Sequence, residues 1–164
     1  MILERYPGIE FEKGWRHDIF DSLNPEQRNI LVLDDQMGVV SSSNSVADFF
    51  TKGSKHRNLT VIYLVQNVYN QGSRQRTISL NSHYIVVFRN GRDALQFRTI
   101  RYQVCPSNGK RLVNAFTDAT SKPYGYDVLD HHPSTPEDQS VVTNIRPGKQ
   151  LTYYINSSPK VKRN

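Results

Sequence analysis

Three runs of apolar residues recur along the chain: Asn29-Ile30-Leu31-Val32-Leu33-Asp34-Asp35, Leu59-Thr60-Val61-Ile62-Tyr63-Leu64-Val65 and Tyr84-Ile85-Val86-Val87-Phe88. Their continuity, with little polar alternation, is the pattern of strands buried on both faces, as in a parallel sheet. The third run is β-branched and aromatic throughout, as strands prefer. Helical spacing appears between and after these runs. Asn44 or Ser45 suits a cap for a helix carrying Val46, Ala47, Phe49 and Phe50, with Gly53 at its end. Ser73 to Leu80 predicts a short helix. Asp93 to Val104 predicts another, with Ala94, Phe97, Ile100 and Val104 on one stripe. Lys110 to Thr120 predicts a third, with Leu112, Val113, Phe116 and Ala119 inward.

Weaker signals complete the chain. Asn24-Pro25-Glu26 reads as a helix start, with Asn24 as cap and Pro25 in the first helical position. Tyr124 to Leu129 predicts a fourth strand, and Leu151 to Ile155 a last, edge strand. Thr135-Pro136-Glu137-Asp138 resembles a helix N-terminus of about one turn. Strands alternating with helices predict an α/β layer fold with a largely parallel sheet and flanking helices. Residues 1–157 read as a single domain and 158–164 as a basic flexible tail.

The 164 residues suffice for one domain with a real core. No apolar run is long enough to cross a bilayer, and the N-terminus lacks a signal core. The expectation is an intracellular protein of nucleus or cytoplasm, neither secreted nor membrane-bound. The single cysteine, Cys105, cannot form an internal disulfide, which fits a reducing compartment. The net charge of +6 favours polyanionic partners. Basic residues gather at Lys52, Lys55, His56 and Arg57, at Arg74 and Arg76, and from Arg89 to Arg101. Lys52, Lys55, Arg57, Arg74 and Arg76 are the candidate nucleic-acid contacts; solvated surface is the plain alternative.

Asp34 and Asp35 are the leading candidates for chemistry. Side chains at the carboxyl end of a strand face the crevice where α/β proteins bind ligands. There Asp34 can hold Mg²⁺, directly or through water, because Mg²⁺ keeps several waters and needs only one or two carboxylates. Asp35 can polarise an attacking water. Gln66 and Asn67 end the next strand. If that strand lies beside the first, their amides reach the same crevice, where they can contact a γ-phosphate and sense hydrolysis. Arg57 has the charge and fork geometry of an arginine finger for a neighbouring subunit's nucleotide. Strand ends turning into polar loops account for the same residues without any function. Asp130-His131-His132 could ligate metal, but adjacent strand residues point to opposite faces.

A Walker A loop, Gly-x-x-x-x-Gly-Lys-[Ser/Thr], is missing. Gly109-Lys110 is followed by Arg111 and Gly148-Lys149 by Gln150, and neither has a glycine five residues earlier. A missing N-terminal portion would explain this, since that loop precedes Walker B in the chain.

Asn29 to Asp35, Phe50 to Leu59 and Val61 to Asn67 resemble the FtsK/HerA-type DNA-packaging ATPases of large DNA viruses and Polinton/adintovirus-like elements. Arg76 to Tyr84, Arg89 to Asp93 and Ala119 to Tyr126 extend the similarity, which covers roughly residues 8 to 155. The resemblance implies a truncated RecA-like ASCE P-loop NTPase sheet and ATP-driven movement of double-stranded DNA by a ring of subunits. Viral capsid or portal proteins would be further partners. It implies Walker B roles for Asp34 and Asp35, a sensor role for Gln66, and ATP and Mg²⁺ as cofactors of the intact family. Without a phosphate cradle, this polypeptide alone is expected to have negligible ATPase activity. Two other readings stay open: a non-enzymatic nucleic-acid-binding remnant, and a Mg²⁺-dependent nuclease-like fold built on the same aspartates.

Overall fold

The computed structural model describes residues 8–16, 18–36, 38, 45–53, 58–67, 73–91, 97, 99–100 and 109–155, with backbone alone at 20, 45, 52, 53, 73 and 74. The chain divides into two compact units, Met1–Asn81 and Ser82–Asn164. Both are mixed α/β, but their sheets differ in kind.

In the first unit, β1 (Asn29–Asp34) and β2 (Leu59–Leu64) form a two-stranded parallel sheet. The register pairs Leu31 with Val61, Leu33 with Tyr63 and Asp34 with Leu64. A short α1 (Ile19–Ser22) precedes the sheet. Between the strands, α2 (Ser45–Asp48) runs into a π-helical segment, Phe49–Gly53. After β2 comes α3 (Ser73–Asn81). Helix α2 supplies Val46 and α3 supplies Ile78 to a core with Leu33. Trp15, Leu31, Ala47, Phe50, Val61 and Tyr63 pack around it. Trp15 also meets the fully buried Phe49 edge-on, with ring centroids 5.6 Å apart.

Only one face of this sheet is covered. Leu31, Leu33, Val61 and Tyr63 point toward the helices, whereas Ile30 is 69% exposed, Val32 54%, Ile62 43% and Leu64 48%. The expectation of strands buried on both faces is therefore corrected. In a strand, successive side chains alternate between faces, and the helices of this unit lie on one side. Both parities are aliphatic here, so the sequence does not mark which face is open.

In the second unit, β3 (Tyr84–Phe88), β4 (Tyr126–Asp130), β5 (Val141–Thr143) and β6 (Thr152–Tyr153) make an antiparallel sheet in that order. The largely parallel sheet expected from the sequence is thus wrong: among the described residues, parallel pairing is confined to β1 and β2. The connection from β4 to β5 is short, and short connections join antiparallel neighbours. Helix α4 (Gly109–Ala119) packs on β4 and β5 through its buried Leu112 and Ala115. Phe116 stacks on Phe97 at 3.9 Å between centroids. The inward stripe is therefore Leu112, Ala115, Phe116 and Ala119, and Val113, expected inside, is exposed. On the other sheet face, Tyr126, Val128 and Val142 form a second core cluster.

Other expectations resolve locally. Asn24 caps no helix; its Oδ1 accepts from the Glu26 N–H at 3.0 Å, closing a turn, and α1 ends before it. The expected turn after Thr135 is a single 3₁₀ turn, Glu137–Gln139, entered from Pro136. Of the helix expected over Asp93 to Val104, Phe97, Thr99 and Ile100 are described, and all three are helical. Cys105 and the tail 158–164 lie outside the described residues. Among the described residues, no helix is long and apolar enough to cross a membrane.

The chain turns sharply after α4. A Cβ on Gly125 would stand 2.2 Å from the Ala119 carbonyl oxygen and 2.9 Å from Thr120 Cα. Both obstacles are backbone, which cannot rotate aside. Gly125→Ala is expected to destabilise the protein by roughly 2 kcal/mol or more. Urea unfolding of the two proteins measures this; equal midpoints would show that the loop yields instead.

Candidate functional site

The parallel register sets the position of the candidate residues. Because Asp34 pairs with Leu64, the segments leaving β1 and β2 emerge at the same end of the sheet. Asp35 and Gln36 follow one strand, and Val65, Gln66 and Asn67 the other. Asp34, Asp35, Gln66 and Asn67 thus lie on or just beyond strand ends at the same end of the sheet.

Their side chains do not all share a face. Asp34 lies on the open face, in line with Ile30 and Val32. Asp35 has φ of +51°, a left-handed conformation that Asp tolerates better than most residues. This turns the chain out of the strand, and Asp35 is exposed there. The Tyr63 phenol is raised above its usual range, first by burial and then by the charge of Asp35, with the neighbouring Gln75 amide opposing. Gln75, buried on α3, donates from Nε2 to the Asn67 carbonyl at 3.3 Å. The Gln36 amide donates to the Asp34 carbonyl at 3.2 Å. Tyr63 and Gln75 escaped the sequence reading. Tyr63 sits in an apolar run, and Gln75 in a helix with almost no amphipathic pattern, so neither carried a signal.

This donor set consists of hard oxygens, Asp34 and Asp35, both exposed to water. Among the described residues, no group of three His, Cys, Asp or Glu side chains could enclose a metal ion. The set fits a Mg²⁺ that keeps waters and shares phosphate oxygens, and does not fit an all-protein cage. At Asp130-His131-His132, the His132 Nδ1 pairs with the Ser134 hydroxyl at 2.7 Å, and the His131 N–H donates to the His83 carbonyl at 2.7 Å.

Lys55 and Arg57, with His56, lie outside the described residues, as do the side chains of Lys52 and Arg74. Arg76 is exposed on α3.

The second unit holds a carboxylate that sequence reasoning missed. Asp127, on β4, is fully buried, and neither oxygen has a hydrogen-bond partner. Burial raises it from 3.8 to about 7, against smaller opposing effects of the Val128 amide and the Arg111 guanidinium. Arg111 is engaged elsewhere: Nε donates to the Tyr154 carbonyl at 2.6 Å, and its terminal nitrogens donate to the carbonyls of Asp138 at 2.7 Å and Glu137 at 3.4 Å. One helical face further on, Asp118 accepts from the Tyr154 hydroxyl at 2.6 Å. Burial and the charges of Asp118 and Asp127 push that phenol up. The available signal was parity: Asp127 lies two residues from the interior Leu129 along β4 and shares its face.

No family model matches the chain, and comparisons with curated proteins and with solved structures gave no match.

Asp127 makes stability depend on pH. An unfolded carboxyl ionises near 3.8, while the folded one keeps its proton to about 7. Between these values the folded state binds the extra proton, so its contribution is fully present below about pH 4 and falls as pH rises to about 7. The difference amounts to roughly 4 kcal/mol at most. Asp127→Asn removes the charge and keeps the shape. The stability of Asp127→Asn relative to the native protein is expected to rise between pH 4 and pH 8 in urea unfolding; a pH-independent difference would show that Asp127 is ionised throughout.

Proposed function

We propose that this chain is the Walker B-bearing, C-terminal portion of a RecA-like motor ATPase of the DNA-packaging type, inactive by itself because it has no phosphate loop. The observation that supports this best is the in-register parallel pairing of β1 and β2, which gathers Asp34, Asp35, Gln66 and Asn67 at one sheet end. Ligand sites of α/β proteins form at the carboxyl ends of such strands. The antiparallel strands β3 to β6 form a sheet of their own, so the reading rests on the first unit alone.

In the assembled motor, Asp34 would hold Mg²⁺, chiefly through water. Bound there with ATP, Mg²⁺ supplies charge neutralisation at the β- and γ-phosphate oxygens. Asp35 would orient the attacking water and accept its proton. Its left-handed backbone breaks the strand at this point, so the two carboxylates leave β1 from different backbone conformations. Gln66 would contact the γ-phosphate as a neutral sensor, with Asn67 beside it. The Asn67 carbonyl is fixed by Gln75, and Gln75 stands next to Tyr63, so the second strand end is braced from the core side. Arg57 would reach a neighbouring subunit's nucleotide, and Lys52, Lys55, Arg74 and Arg76 would face the phosphates of double-stranded DNA. A ring docking on capsid or portal proteins inside a cell is the corresponding assembly.

The test begins with the DNA upstream of the coding sequence. An in-frame Gly-x-x-x-x-Gly-Lys-[Ser/Thr] within about one β-α unit is expected. The protein extended to include it should hydrolyse ATP with Mg²⁺, and Asp35→Ala should lower kcat by roughly 10²- to 10⁴-fold. The chain alone should show no turnover. An upstream region without the loop, or an extended protein inert toward ATP in the presence of double-stranded DNA, would sink the motor reading. Mg²⁺-dependent strand cleavage lost with Asp34→Ala would favour the nuclease reading instead.

A further inference from the structure

The second unit contains an open cleft of about 410 Å³ between the end of β3 and the loop leaving α4. Phe88 and Arg89 form one wall, and residues Thr120 to Gly125, with Lys122 and Tyr124 among them, form the other. It shares no lining residue with the β1–β2 site and owes nothing to the motor reading.

Two large rings flank the cleft and are open to solvent. Tyr124 is 86% exposed and Phe88 57%. Exposed aromatic area of this kind is unfavourable in water unless a partner covers it. The neighbouring Tyr126 differs: Arg146 lies over its ring at 5.6 Å, and it is buried. Phe88 meets Tyr126 at 5.8 Å and a 49° tilt, an arrangement that steadies Phe88 and leaves much of it uncovered. Tyr124 is held outward by its backbone. Its φ is +60°, which costs a bulky residue roughly 1–2 kcal/mol. The loop enforces this conformation: the Gly125 N–H donates to the Lys122 carbonyl at 3.0 Å, and Gly125 packs against the last turn of α4.

Among the described residues that line the cleft, Arg89 and Lys122 carry charge and none is acidic. Among the described residues, neither cation forms a salt bridge. Asp118, the nearest acid along α4, is already engaged by the Tyr154 hydroxyl at 2.6 Å. The cleft therefore offers exposed π-faces beside uncompensated positive charge.

We propose that this cleft binds a single strand of nucleic acid, with a base stacked on Tyr124 or Phe88 and the adjacent phosphates held by Arg89 and Lys122. Unpaired bases present free faces for stacking, whereas those of a duplex are already stacked on one another. Charge complementarity argues for a polyanion, and the rings argue for one whose bases are open.

Fluorescence anisotropy with a labelled oligothymidylate of about fifteen nucleotides tests this on the whole chain. Binding is expected to weaken steeply with salt. Tyr124→Asn keeps a residue that tolerates left-handed backbone and removes the ring; it should weaken binding about tenfold, within the range for one stacked base. The double variant Arg89→Gln, Lys122→Gln should lower the slope of log K against log salt by about 1.4, as expected for two lost phosphate contacts on a single strand. A duplex of the same length should compete less well than the single strand. Iodouracil placed within the strand should photocrosslink to Tyr124 or Phe88, read by mass spectrometry of the digested protein. The proposal is overturned if Tyr124→Asn binds like the native protein, if the duplex competes as well as the single strand, or if the crosslinks map to residues 45–81.

Discussion

Everything at the candidate site depends on the register of β1 against β2. The side-chain period of a strand is two, so a slip of one residue would exchange the two faces of a strand. Leu31 and Leu33 would leave the core, and Asp34 would point at Val46 and Ile78. The observed register is fixed by packing: Leu33 and Tyr63 stand opposite each other, and both face α2 and α3. The placement of Asp34 and Asp35 beside Gln66 is therefore a consequence of core packing in the first unit. No interaction among the polar residues themselves is needed to bring them together.

What the sequence revealed, and what it hid, follows from the same physics. The runs at β1, β2 and β3 were legible because continuous aliphatic and β-branched stretches have few other stable conformations. The parallel direction of β1 and β2 was legible from the long connection between them. The antiparallel pairing of β3 with β4 was not, because its signal is the same: Tyr84 to Phe88 is as continuously apolar as Ile30 to Leu33, yet it forms the edge of a different sheet. Val141-Val142-Thr143 is too short to stand out as a strand, although all three residues are buried once β4 pairs with them. On α4, Val113 was assigned inward because it is apolar, while the small Ala115 takes the core position that Leu112 and Phe116 require. At the site, charged strand ends were visible and their neutral supports were not. Tyr63 and Gln75 act by where they are buried, and residue type alone does not encode that.

The open face of the first sheet bears on the chemistry. Ile30, Val32, Ile62 and Leu64 form a contiguous apolar stripe, and Asp34 continues it to the strand end. Strands with aliphatic residues at both parities are the ones normally covered on both sides. Any further layer on this stripe would remove water from around Asp34 as well. A lower local dielectric strengthens every charge interaction there, so a covering layer would turn a solvated carboxylate into an effective cation ligand.

Asp127 presents the opposite case, and the contrast separates structure from chemistry. It is the most strongly perturbed carboxyl described, and perturbed groups often mark functional sites. Yet Asp127 has no exposed surface, and Arg111, whose charge acts on it, already bonds the carbonyls of Tyr154, Asp138 and Glu137. A substrate cannot reach a group with no exposed surface. Asp34 and Asp35 are exposed and stand out only by their place where β1 ends. A carboxylate poised for Mg²⁺ and water needs access, and one that holds its proton to neutral pH needs the absence of it. Access, more than perturbation, therefore decides which of these aspartates is a candidate for catalysis, and it points to the ends of β1 and β2.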